Sequence, residues 1–310
     1  MFSGDYKSTK STAYRTISLL EQTIGQRRVA LQDGGPRLIF LCGANKLDQT
    51  LSERRVALRA FIQTHVPNSH VIIAEDFFRA RLQHPKRGKR ARNLFDIEKD
   101  LSDISDHILI VLEGEGAFCE LGAFSHEELR KKLLIVNNSA HAQSNSFINL
   151  GPIAAIEAAT PYPSVAWYPM EPHGKEEGDG IALTFPLLIR AIKKTGSSRT
   201  KKIGKDALDP SMGPSKVRLL FLHDLIRIAG PITYPSLIDL LKILFGEEKR
   251  FDPVRESVAL LISLGLIEYE HPGPIKSKTD HLFLDFGEDP HELQMKFAMI
   301  RMRDACRGES

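Results

Sequence analysis

Glu120 lies in the segment of this 310-residue chain that is best suited to chemistry. The segment reads SDHILIVLEGEGAFCELGAF, so an apolar run and a glycine-containing turn precede Glu120. The apolar run predicts a buried strand, and ligands of open parallel sheets bind just beyond the carboxyl ends of the strands. We expect Glu120 to lie where the next helix begins, because backbone amides and the helix dipole keep a carboxylate ionised there. An ionised carboxylate in that place can serve as a nucleophile toward an anomeric carbon.

Glycines and acidic residues near Glu120 extend this interpretation. Gly116 and Gly122 would let a sugar approach Glu120 closely, because glycine carries no side chain. Glu75 and Asp76 follow the second predicted strand, where they can bind a sugar hydroxyl, although loop or helix capping explains them equally well. Helix capping is also the structural alternative for Glu120, and it is the more common role of a single glutamate at such a position.

The apolar pattern between positions 37 and 168 predicts the elements that hold these side chains. Short apolar runs alternate there with amphipathic segments of helical periodicity. The predicted strands and the clearest helices cover residues 38–42, 71–74, 108–112, 133–136 and 165–167, and residues 52–65 and 94–104. This alternation indicates an α/β fold, a doubly wound five-stranded parallel sheet with helices on both faces.

Two flanking regions differ in composition from this predicted catalytic domain. Residues 1–36 are polar and are predicted to form an N-terminal helical arm. Apolar residues recur at helical spacing within the arm, at Tyr14, Ile17, Leu20 and Ile24. Residues 169–213 are predicted to form a linker with a turn-rich loop, a short helix at 186–194 and a basic segment.

Residues 214–310 predict a C-terminal winged helix-turn-helix domain. Helices are predicted at 216–228, 236–245 and 253–264, and two strand-like runs follow, LIEYE and HLFLDF, on either side of HPGPIKSK. This order of elements is typical of a fold that usually contacts DNA through its third helix and its wing. The third helix has few side chains suited to reading bases, which favours shape-guided or backbone binding. A winged helix that serves only protein contacts or dimerisation is the alternative.

Basic residues are concentrated in two runs that contain no acidic residue. Seven lie between positions 79 and 92, and six lie between positions 193 and 205. The net charge of +3 does not identify a partner, but two such runs favour an anionic one over a merely solvated surface. The residues predicted to contact nucleic-acid phosphates are Arg255, Lys276, Lys278, Lys201 and Lys202.

The overall composition predicts a cytoplasmic protein without a metal or a bound cofactor. Hydrophobic residues make up 42% of the chain and charged residues 26%, which is ordinary for a globular protein. Cys42, Cys119 and Cys306 have neither disulfide nor metal-ligand spacing, which favours a reducing compartment. The sequence shows no signal peptide, no run of membrane-spanning length and no glycine-rich phosphate-binding fingerprint.

The GAFCELGAF segment resembles the Gly-x-x-x-Glu-Leu-Gly motif of nucleoside 2′-deoxyribosyltransferases over about residues 37–168. In that family the motif glutamate accepts the glycosyl group, which implies that Glu120 is the nucleophile. Glu98 replaces a family aspartate that assists proton transfer at the base. Asn149, in SFINLGP, matches an asparagine that reaches into the active site of the neighbouring subunit.

The same resemblance implies the residues that bind the substrate. The FLCGAN end of the first strand resembles the family's ligand-binding turn, and Glu113 or Glu115 occupies the region of a further family aspartate. The predicted substrate contacts are therefore Gly43, Asn45, Glu75, Asp76, Glu113, Glu115, Gly116 and Phe118.

A closer resemblance covers nearly the whole chain. AEDFF, FCELGAFSHEELRKKLLIV and SFINLGPI, followed by a winged helix, resemble the deoxyribosyltransferase-like effectors that accompany retron reverse transcriptases. The resemblance implies a toxic effector of an antiphage system, held by the reverse transcriptase and its branched RNA–DNA product. It also implies a homodimer or a higher oligomer.

Two classes of function stay open at this point. The first is an enzyme that cleaves an N-glycosidic bond, and the second is a nucleic-acid-binding regulator whose sugar-binding domain only senses a nucleotide. Glu98, Glu120 and Asn149 together favour the enzyme, because a sensor needs no nucleophile. NAD is the preferred substrate, since nicotinamide leaves as a neutral molecule from a cationic ring and every cell depends on NAD. A nucleoside deoxyribosyltransferase or hydrolase that acts on (deoxy)nucleosides or nucleotides is the alternative enzyme.

Overall fold

A computed structural model describes residues 12–26, 28–32, 35–82, 93–194, 202–269, 273–287 and 289–308. The chain divides into two compact units. The α/β unit comprises Pro36–Asp76 and Gly88–Ser197, and the C-terminal unit comprises Met1–Gly35, Phe77–Arg87 and Ser198–Ser310. None of the helices in the described ranges is long and apolar enough to cross a membrane.

The described strands and helices are numbered in chain order. The strands are β1 (Ala30–Leu31), β2 (Arg37–Cys42), β3 (Ser69–Ile72), β4 (His107–Val111), β5 (Leu133–Asn138), β6 (Val165–Tyr168), β7 (Ile267–Tyr269), β8 (Ile275–Ser277) and β9 (Leu284–Asp285). The helices are α1 (Thr12–Gly25), α2 (Glu53–His65), α3 (Ala74–Leu82), α4 (Leu94–Ile104), α5 (Glu115–Phe124), α6 (Ala154–Ala159), α7 (Phe185–Lys194), α8 (Lys205–Leu208), α9 (Lys216–Ala229), α10 (Tyr234–Phe245), α11 (Val254–Ser263) and α12 (Pro290–Gly308).

A five-stranded parallel sheet, in the order β3-β2-β4-β5-β6, forms the centre of the α/β unit. The predicted α/β fold with five parallel strands is thereby confirmed. Successive residues of β4 point to opposite faces of the sheet, and all five are buried, as expected of a parallel sheet covered on both sides. The predicted helix at 94–104 coincides with α4, and Ser52 caps α2 by accepting a hydrogen bond from the backbone N–H of Arg55.

The segment assigned from sequence to the linker contributes to the core of the α/β unit. Ile181 and three side chains of α7 are buried against the sheet, together with Leu58 and Ile62 of α2. The three α7 side chains are Leu188, Ala191 and Ile192. They recur at spacings of three and one, so they line one face of a helix that needs an apolar surface to pack against. The predicted boundaries at 168 and 213 stay predictions.

The C-terminal unit is built on α9, most of whose residues are buried. The predicted N-terminal helix is α1, which packs on α10 and α12. Its residues Ile17, Leu20 and Ile24 are buried, whereas Tyr14 is exposed. Helix α12 has no counterpart in the sequence prediction, although Leu293, Phe297 and Ile300 form its buried face at helical spacing.

The two strands that follow α11 differ from the predicted wing. β7 pairs antiparallel with β8, which lies in the HPGPIKSK segment that was predicted to be the connection. The predicted partner, HLFLDF, contains β9, which pairs with β1 instead. The buried carboxylate of Asp224 accepts hydrogen bonds from the backbone N–H groups of Phe283 and Leu284, at 2.9 and 2.7 Å. This anchor holds β9 at α9, so the assignment of HLFLDF to the wing was wrong.

Candidate active site

The carboxyl ends of β2 and β4 define the candidate site. These strands are neighbours at the centre of the sheet, and the chain reaches β3 on one side of β2 and β4 on the other. Such a reversal of strand order opens a crevice beyond the strand ends, where open α/β sheets bind ligands. The turn after β2 contains Gly43, and the turn after β4 contains Glu113 and Gly114. Both turns therefore border the expected ligand position.

Gly43 lets these two turns approach each other. Its φ of +152° is a conformation that favours glycine. A Cβ at this position would lie 3.0 Å from Oε1 of Glu113 and 3.1 Å from Cδ of Arg55. Any side chain would therefore disturb both neighbours. The packing of the two turns therefore requires glycine at position 43, in addition to the predicted contact of Gly43 with the substrate.

Glu113 was predicted to contact the substrate. In the structure its side chain supports the turn after β2. Its side chain is fully buried, and Oε1 accepts hydrogen bonds from Ser52 Oγ (2.6 Å) and from the backbone N–H of Ala44 (3.1 Å). Oε2 accepts a hydrogen bond from Arg54 Nη1 at 3.2 Å. Both oxygens are thus engaged within the protein. Burial raises the pKa of Glu113, while Ser52 and Arg54 act in the opposite direction.

Arg54 connects Glu113 to the loop after β6. Its Nε donates to Oδ2 of Asp179 at 2.9 Å, and its Nη2 donates to the same oxygen at 2.5 Å. Nη2 also donates to the backbone carbonyl of Glu171 at 2.7 Å, and Tyr168 Oη donates to Asp179 at 3.1 Å. The side chains of Arg54, Glu113 and Asp179 are 4%, 0% and 1% exposed. We call this group the Arg54 network.

Arg55 organises a second group of carboxylates, the Arg55 cluster, which comprises Arg55, Glu75, Glu98 and Glu120. Nη1 and Nη2 of Arg55 donate to the two oxygens of Glu75 at 2.7 and 3.1 Å. Nη1 also donates to Oδ1 of Asn45 at 2.8 Å. Burial raises the pKa of Glu75, but the hydrogen bonds and charge of Arg55 bring it below its ordinary value. Glu75 is therefore ionised, and Asn45 supports the ion pair.

Glu120 and Glu98 are the carboxylates of this cluster without an arginine of their own. Burial raises the pKa of Glu120 to about 8, and the negative charges of Glu98 and Glu75 add to this effect against the charge of Arg55. Burial and the charge of Glu75 also raise the pKa of Glu98. Within the described part of the chain, the buried Oε2 of Glu120 has no hydrogen-bond partner. Burial and neighbouring negative charge therefore favour the protonated form of both carboxyl groups.

The position of Glu120 in its helix differs from the prediction. α5 begins at Glu115, with Gly114 as its N-cap, so Glu120 lies in the second turn of the helix. The unpaired amides of the first turn are too far along the helix to keep its carboxylate ionised. The expectation of a dipole-stabilised anion was therefore wrong, and burial next to Glu98 raises the pKa instead.

Cys42 shows that these groups surround the end of β2. The thiol is buried, and its pKa is raised well above the ordinary value by burial and then by the negative charge of Glu120. Arg55 lowers it, while Glu98 and Glu75 raise it further. All four charged groups therefore act on the buried thiol at the end of β2. The structure therefore brings together the predicted residues Glu120, Glu98 and Glu75.

The other predicted substrate-binding residues, on α3 and α5, take part in fewer of the described hydrogen bonds and ion pairs than the Arg55 cluster. A Cβ at Gly116 would meet no described atom within 4 Å, so the space beside it is open. Glu115 and Phe118 are exposed on α5. Asp76 is half-buried, and its Oδ2 lies 3.7 Å from Nη1 of Arg59.

Asn149 begins a π-helical turn, Asn149–Ile153, of the kind often found at functional sites. Its Nδ2 donates to the backbone carbonyls of His141 (2.7 Å) and Ser144 (2.9 Å), so its described hydrogen bonds stay within its own loop. Its Oδ1 is buried and has no partner among the described residues. Phe147 and Leu150 beside it are 84% and 68% exposed.

The predicted nucleic-acid contacts lie in the C-terminal unit. Lys276 and Lys278, in and next to β8, are exposed, and Nζ of Lys276 lies 3.7 Å from Glu268. Arg255 is half-buried, with its guanidinium 5.7 Å from the centre of the Tyr234 ring. Lys202 is exposed and forms a bridge with Ala30. Lys201 and residues 83–92 lie outside the described residues.

Arg54, Arg55 and Asp179 were missed by the sequence reasoning. The available signal was a pair of arginines in the first turn of a helix, SERR, directly after a serine cap. Cations are unfavourable at that end of a helix dipole, so two of them there indicate partners elsewhere. No spacing rule identifies those partners, because Glu75, Glu113 and Asp179 come from distant segments.

Comparison with known proteins gives a consistent assignment. The family model described as "STM3845 retron effector protein" matches residues 51–269. An Escherichia coli protein named "Retron Ec73 putative ribosyltransferase/DNA-binding protein" is 33% identical over 266 residues, which cover 84% of each chain. A second E. coli protein, "Retron Ec86 putative ribosyltransferase/DNA-binding protein", is 33% identical over 154 residues, 49% of each chain. The matched region includes every member of the Arg55 cluster. The chain therefore belongs to the STM3845 family of retron effector proteins.

Proposed function

We propose that the α/β unit cleaves an N-glycosidic bond by displacement at Glu120, with Glu98 as the proton donor. The observation that carries this proposal is the Arg55 cluster at the ends of the central strands. Arg55 pairs with Glu75, while Glu98 and Glu120 have no cationic partner of their own among the described residues and have raised pKa values. Pairs of carboxylates whose pKa values are shifted by their surroundings are typical of glycosidic chemistry, where one acts as an acid and the other as a nucleophile.

The proposed reaction proceeds in two steps. The Glu120 carboxylate attacks C1′ of the sugar, a C–O ester bond forms, and the C–N bond to the base breaks with its electron pair on the nitrogen. Glu98 delivers a proton to that nitrogen when the base requires one. In the second step Glu98, which has lost its proton to the leaving base or, with NAD, to the solvent, takes a proton from water. The water oxygen attacks C1′, and the Glu120 ester is released as a carboxylate.

NAD suits a site in which the nucleophile holds a proton at rest. A pyridinium ring brings a positive charge next to Glu120, and an opposite charge lowers the pKa of a carboxyl group, so Glu120 releases its proton to the solvent and attacks as the carboxylate. Nicotinamide then leaves as a neutral molecule without a proton from Glu98. We infer that NAD is the substrate, with nicotinamide and ADP-ribose as products.

A chromatographic assay of purified protein against NAD, nucleosides and nucleotides tests this proposal. We expect release of nicotinamide from NAD by the wild type and none by Glu120→Gln. Glu127→Gln, an exposed carboxylate that follows α5, is the matched control and retains activity. If the protein cleaves deoxynucleosides or deoxynucleotides and leaves NAD intact, the substrate is one of these compounds and not NAD. Full activity of Glu120→Gln would reject the displacement.

Transfer to an acceptor other than water is the second candidate, because the E. coli relatives carry the word ribosyltransferase in their names. A glycosyl ester on Glu120 can react with any nucleophile that reaches it. Incubation with NAD and isotope-labelled nicotinamide distinguishes the two candidates. A transferase returns the label to NAD faster than it forms ADP-ribose, whereas a hydrolase forms mainly ADP-ribose.

We also infer that α9–α11 and the β7–β8 hairpin form a winged helix that binds the retron's branched RNA–DNA product and the reverse transcriptase. Ile232, between α9 and α10, forms a bridge with Ile275 of β8, as the first strand of that fold does. Every residue of α11 is buried or half-buried, so the exposed Lys276 and Lys278 are the better candidates for phosphate contacts. A regulator that only senses nucleotides would share this binding but show no turnover.

Salt-dependent binding to branched RNA–DNA tests this part of the proposal. Phosphate contacts release counterions, so affinity should fall steeply with salt concentration. Charge reversal at Lys276 and Lys278 should weaken binding further, whereas charge reversal at the exposed Lys131 of the α/β unit should not. Binding that is insensitive to salt would indicate a protein-docking module.

We further propose that two copies share their active sites through the Asn149 loop. The exposed side chains of Phe147 and Leu150, which flank Asn149, are suited to contact a second copy. Mixing inactive Glu120→Gln with inactive Asn149→Ala should then restore part of the activity in mixed oligomers. Mixed oligomers that stay inactive would contradict shared sites.

A further inference from the structure

Glu75 is held more firmly than any other carboxylate of the Arg55 cluster, yet it stays accessible. It accepts hydrogen bonds from both terminal nitrogens of Arg55, and it is also hydrogen-bonded to the side chain of Asn45. The Arg55 side chain is 2% exposed, whereas that of Glu75 is 28% exposed. A ligand can therefore reach Glu75 but not the cation that fixes it.

The charge of Glu75 restricts the chemistry of that ligand. Its ion pair with Arg55 keeps the carboxylate ionised, and an ionised carboxylate only accepts hydrogen bonds. The group that it binds must be a donor, such as a hydroxyl, and not a phosphate. Arg55 and Asn45 occupy three of its roughly four lone-pair sites, which leaves capacity for one further donor.

The stereochemistry of a β-N-riboside places such a donor beside Glu120. The base leaves from one face of the sugar ring, so the nucleophile approaches C1′ from the opposite face. The 2′-hydroxyl of ribose lies on that opposite face, one carbon away from the reacting centre. A residue that binds the 2′-hydroxyl must therefore lie next to the nucleophile, and the charge of Glu75 does act on Glu120.

The topology of the sheet leads to the same place. Glu75 follows β3, the strand next to β2 at one side of the crevice. In dinucleotide-binding sheets an acidic residue after the second strand binds ribose hydroxyls. Glu75 occupies the corresponding position, although the phosphate-binding glycine fingerprint of those proteins is absent from this sequence.

We propose that Glu75, fixed by Arg55 and Asn45, binds the 2′-hydroxyl of the substrate and makes the site selective for ribosides over 2′-deoxyribosides. This inference rests on the proposed displacement at Glu120. Hydrogen bonds to the 2-hydroxyl of a sugar strengthen as the ring becomes cation-like in the transition state. Loss of this contact therefore lowers kcat more than it raises KM.

The ratio of kcat/KM for a riboside and its 2′-deoxy analogue tests the inference. The pairs are NAD with NAD lacking the 2′-hydroxyl of the nicotinamide ribose, and AMP with dAMP. Deoxyribosides differ in intrinsic reactivity, so the informative quantity is the change of this ratio between the wild type and Glu75→Gln. We expect the ratio to fall at least about tenfold, because a site built around a hydroxyl discriminates strongly against its absence.

Glu53→Gln is the matched control, since Glu53 also pairs with a cation, Lys46, near the same loop but is half-exposed. Its ratio should equal that of the wild type. An unchanged ratio in Glu75→Gln, with cleavage still measurable, would overturn the inference alone. Absence of cleavage of every N-glycoside by the wild type would overturn the proposed function.

A second measurement needs no variant and so does not depend on the folding of Glu75→Gln. In an arabinoside the 2′-hydroxyl points to the face of the leaving base, away from Glu75 and Glu120. We expect the wild type to cleave the arabino epimer of NAD at least about tenfold more slowly than NAD itself. Equal rates for the two epimers would overturn the inference.

Discussion

Arg54 and Arg55 are neighbours in the first turn of α2, yet they organise two very different environments. Arg54 reaches two carboxylates and a backbone carbonyl, and both oxygens of Glu113 accept hydrogen bonds within the protein. Arg55 pairs fully with Glu75 alone, while Glu98 and Glu120 nearby have raised pKa values. Arg54 thus has hydrogen-bonded partners for its whole guanidinium group. The Arg55 cluster, by contrast, contains three carboxylates and one arginine.

The difference separates structural carboxylates from those available for chemistry. A buried charge that is paired and hydrogen-bonded stabilises one arrangement of the chain, which suits Glu113 as a support for the turn after β2. A carboxylate such as Glu120, buried near others without a partner of its own, changes its protonation readily. Such groups are typical of active sites.

Substitution of one carboxylate from each group should show the difference between the two groups most strongly. Glu120→Gln should lower the rate of NAD cleavage by about 10³–10⁶-fold, because it removes the nucleophile. Glu113→Gln keeps the shape of the side chain and should retain activity within about tenfold, at a cost of ~1–3 kcal/mol in the free energy of unfolding. Steady-state kinetics and urea unfolding of both variants measure these effects. Equal losses of activity would remove the distinction.

Removal of the central cation from the Arg54 network should produce the largest loss of stability. Arg54→Ala leaves Glu113 and Asp179 buried without their partner, which costs about 3–5 kcal/mol in comparable cases. Urea unfolding followed by circular dichroism measures the change. Arg59→Ala, whose side chain is partly exposed near Asp76, is the control and should lose less than ~1 kcal/mol. A loss of similar size in the two variants would contradict the assigned role of Arg54.

The coupling of Glu98 to Glu120 predicts a shift in the pH dependence. With NAD, whose leaving group needs no proton, kcat/KM should rise with pH until Glu120 is ionised at about 8. Glu98→Gln removes a negative charge that raises the pKa of Glu120, so the midpoint should move to lower pH. A midpoint that stays in place or moves upward would show that the two carboxylates are not coupled.

A smaller effect should be visible in the thermal stability. Between an ordinary glutamate pKa and about 8, the folded protein holds a proton on Glu120 that the unfolded chain releases, so stability falls as pH rises through this window. Glu120→Gln removes that loss. The Tm of this variant should therefore exceed that of the wild type by more at pH 8.5 than at pH 5. Each ~1 kcal/mol in the free energy of unfolding corresponds to roughly 2–4 °C in Tm. The same Tm difference at both pH values would contradict the raised pKa.

The sequence was sufficient to predict the sheet and the strands that precede Glu75 and Glu120. Periodic apolar residues mark β2 to β6, and in a parallel sheet their carboxyl ends meet at one edge. The start of α5 was misplaced because it depends on the backbone conformation of Gly114, which apolar periodicity does not encode. The roles of Arg54 and Arg55 were not predictable, because adjacent side chains on one helix point to different partners from distant segments.

The anomeric configuration of the product tests the central claim, displacement at Glu120, most directly. Methanol added to the reaction competes with water for the glycosyl group, and nuclear magnetic resonance identifies the configuration of the methyl glycoside. Two successive displacements at C1′, the first by Glu120, restore the original configuration, so we predict the β-methyl glycoside from NAD. The α-methyl glycoside would show a single displacement by the acceptor, and Glu120 would then act as a base and not as the nucleophile.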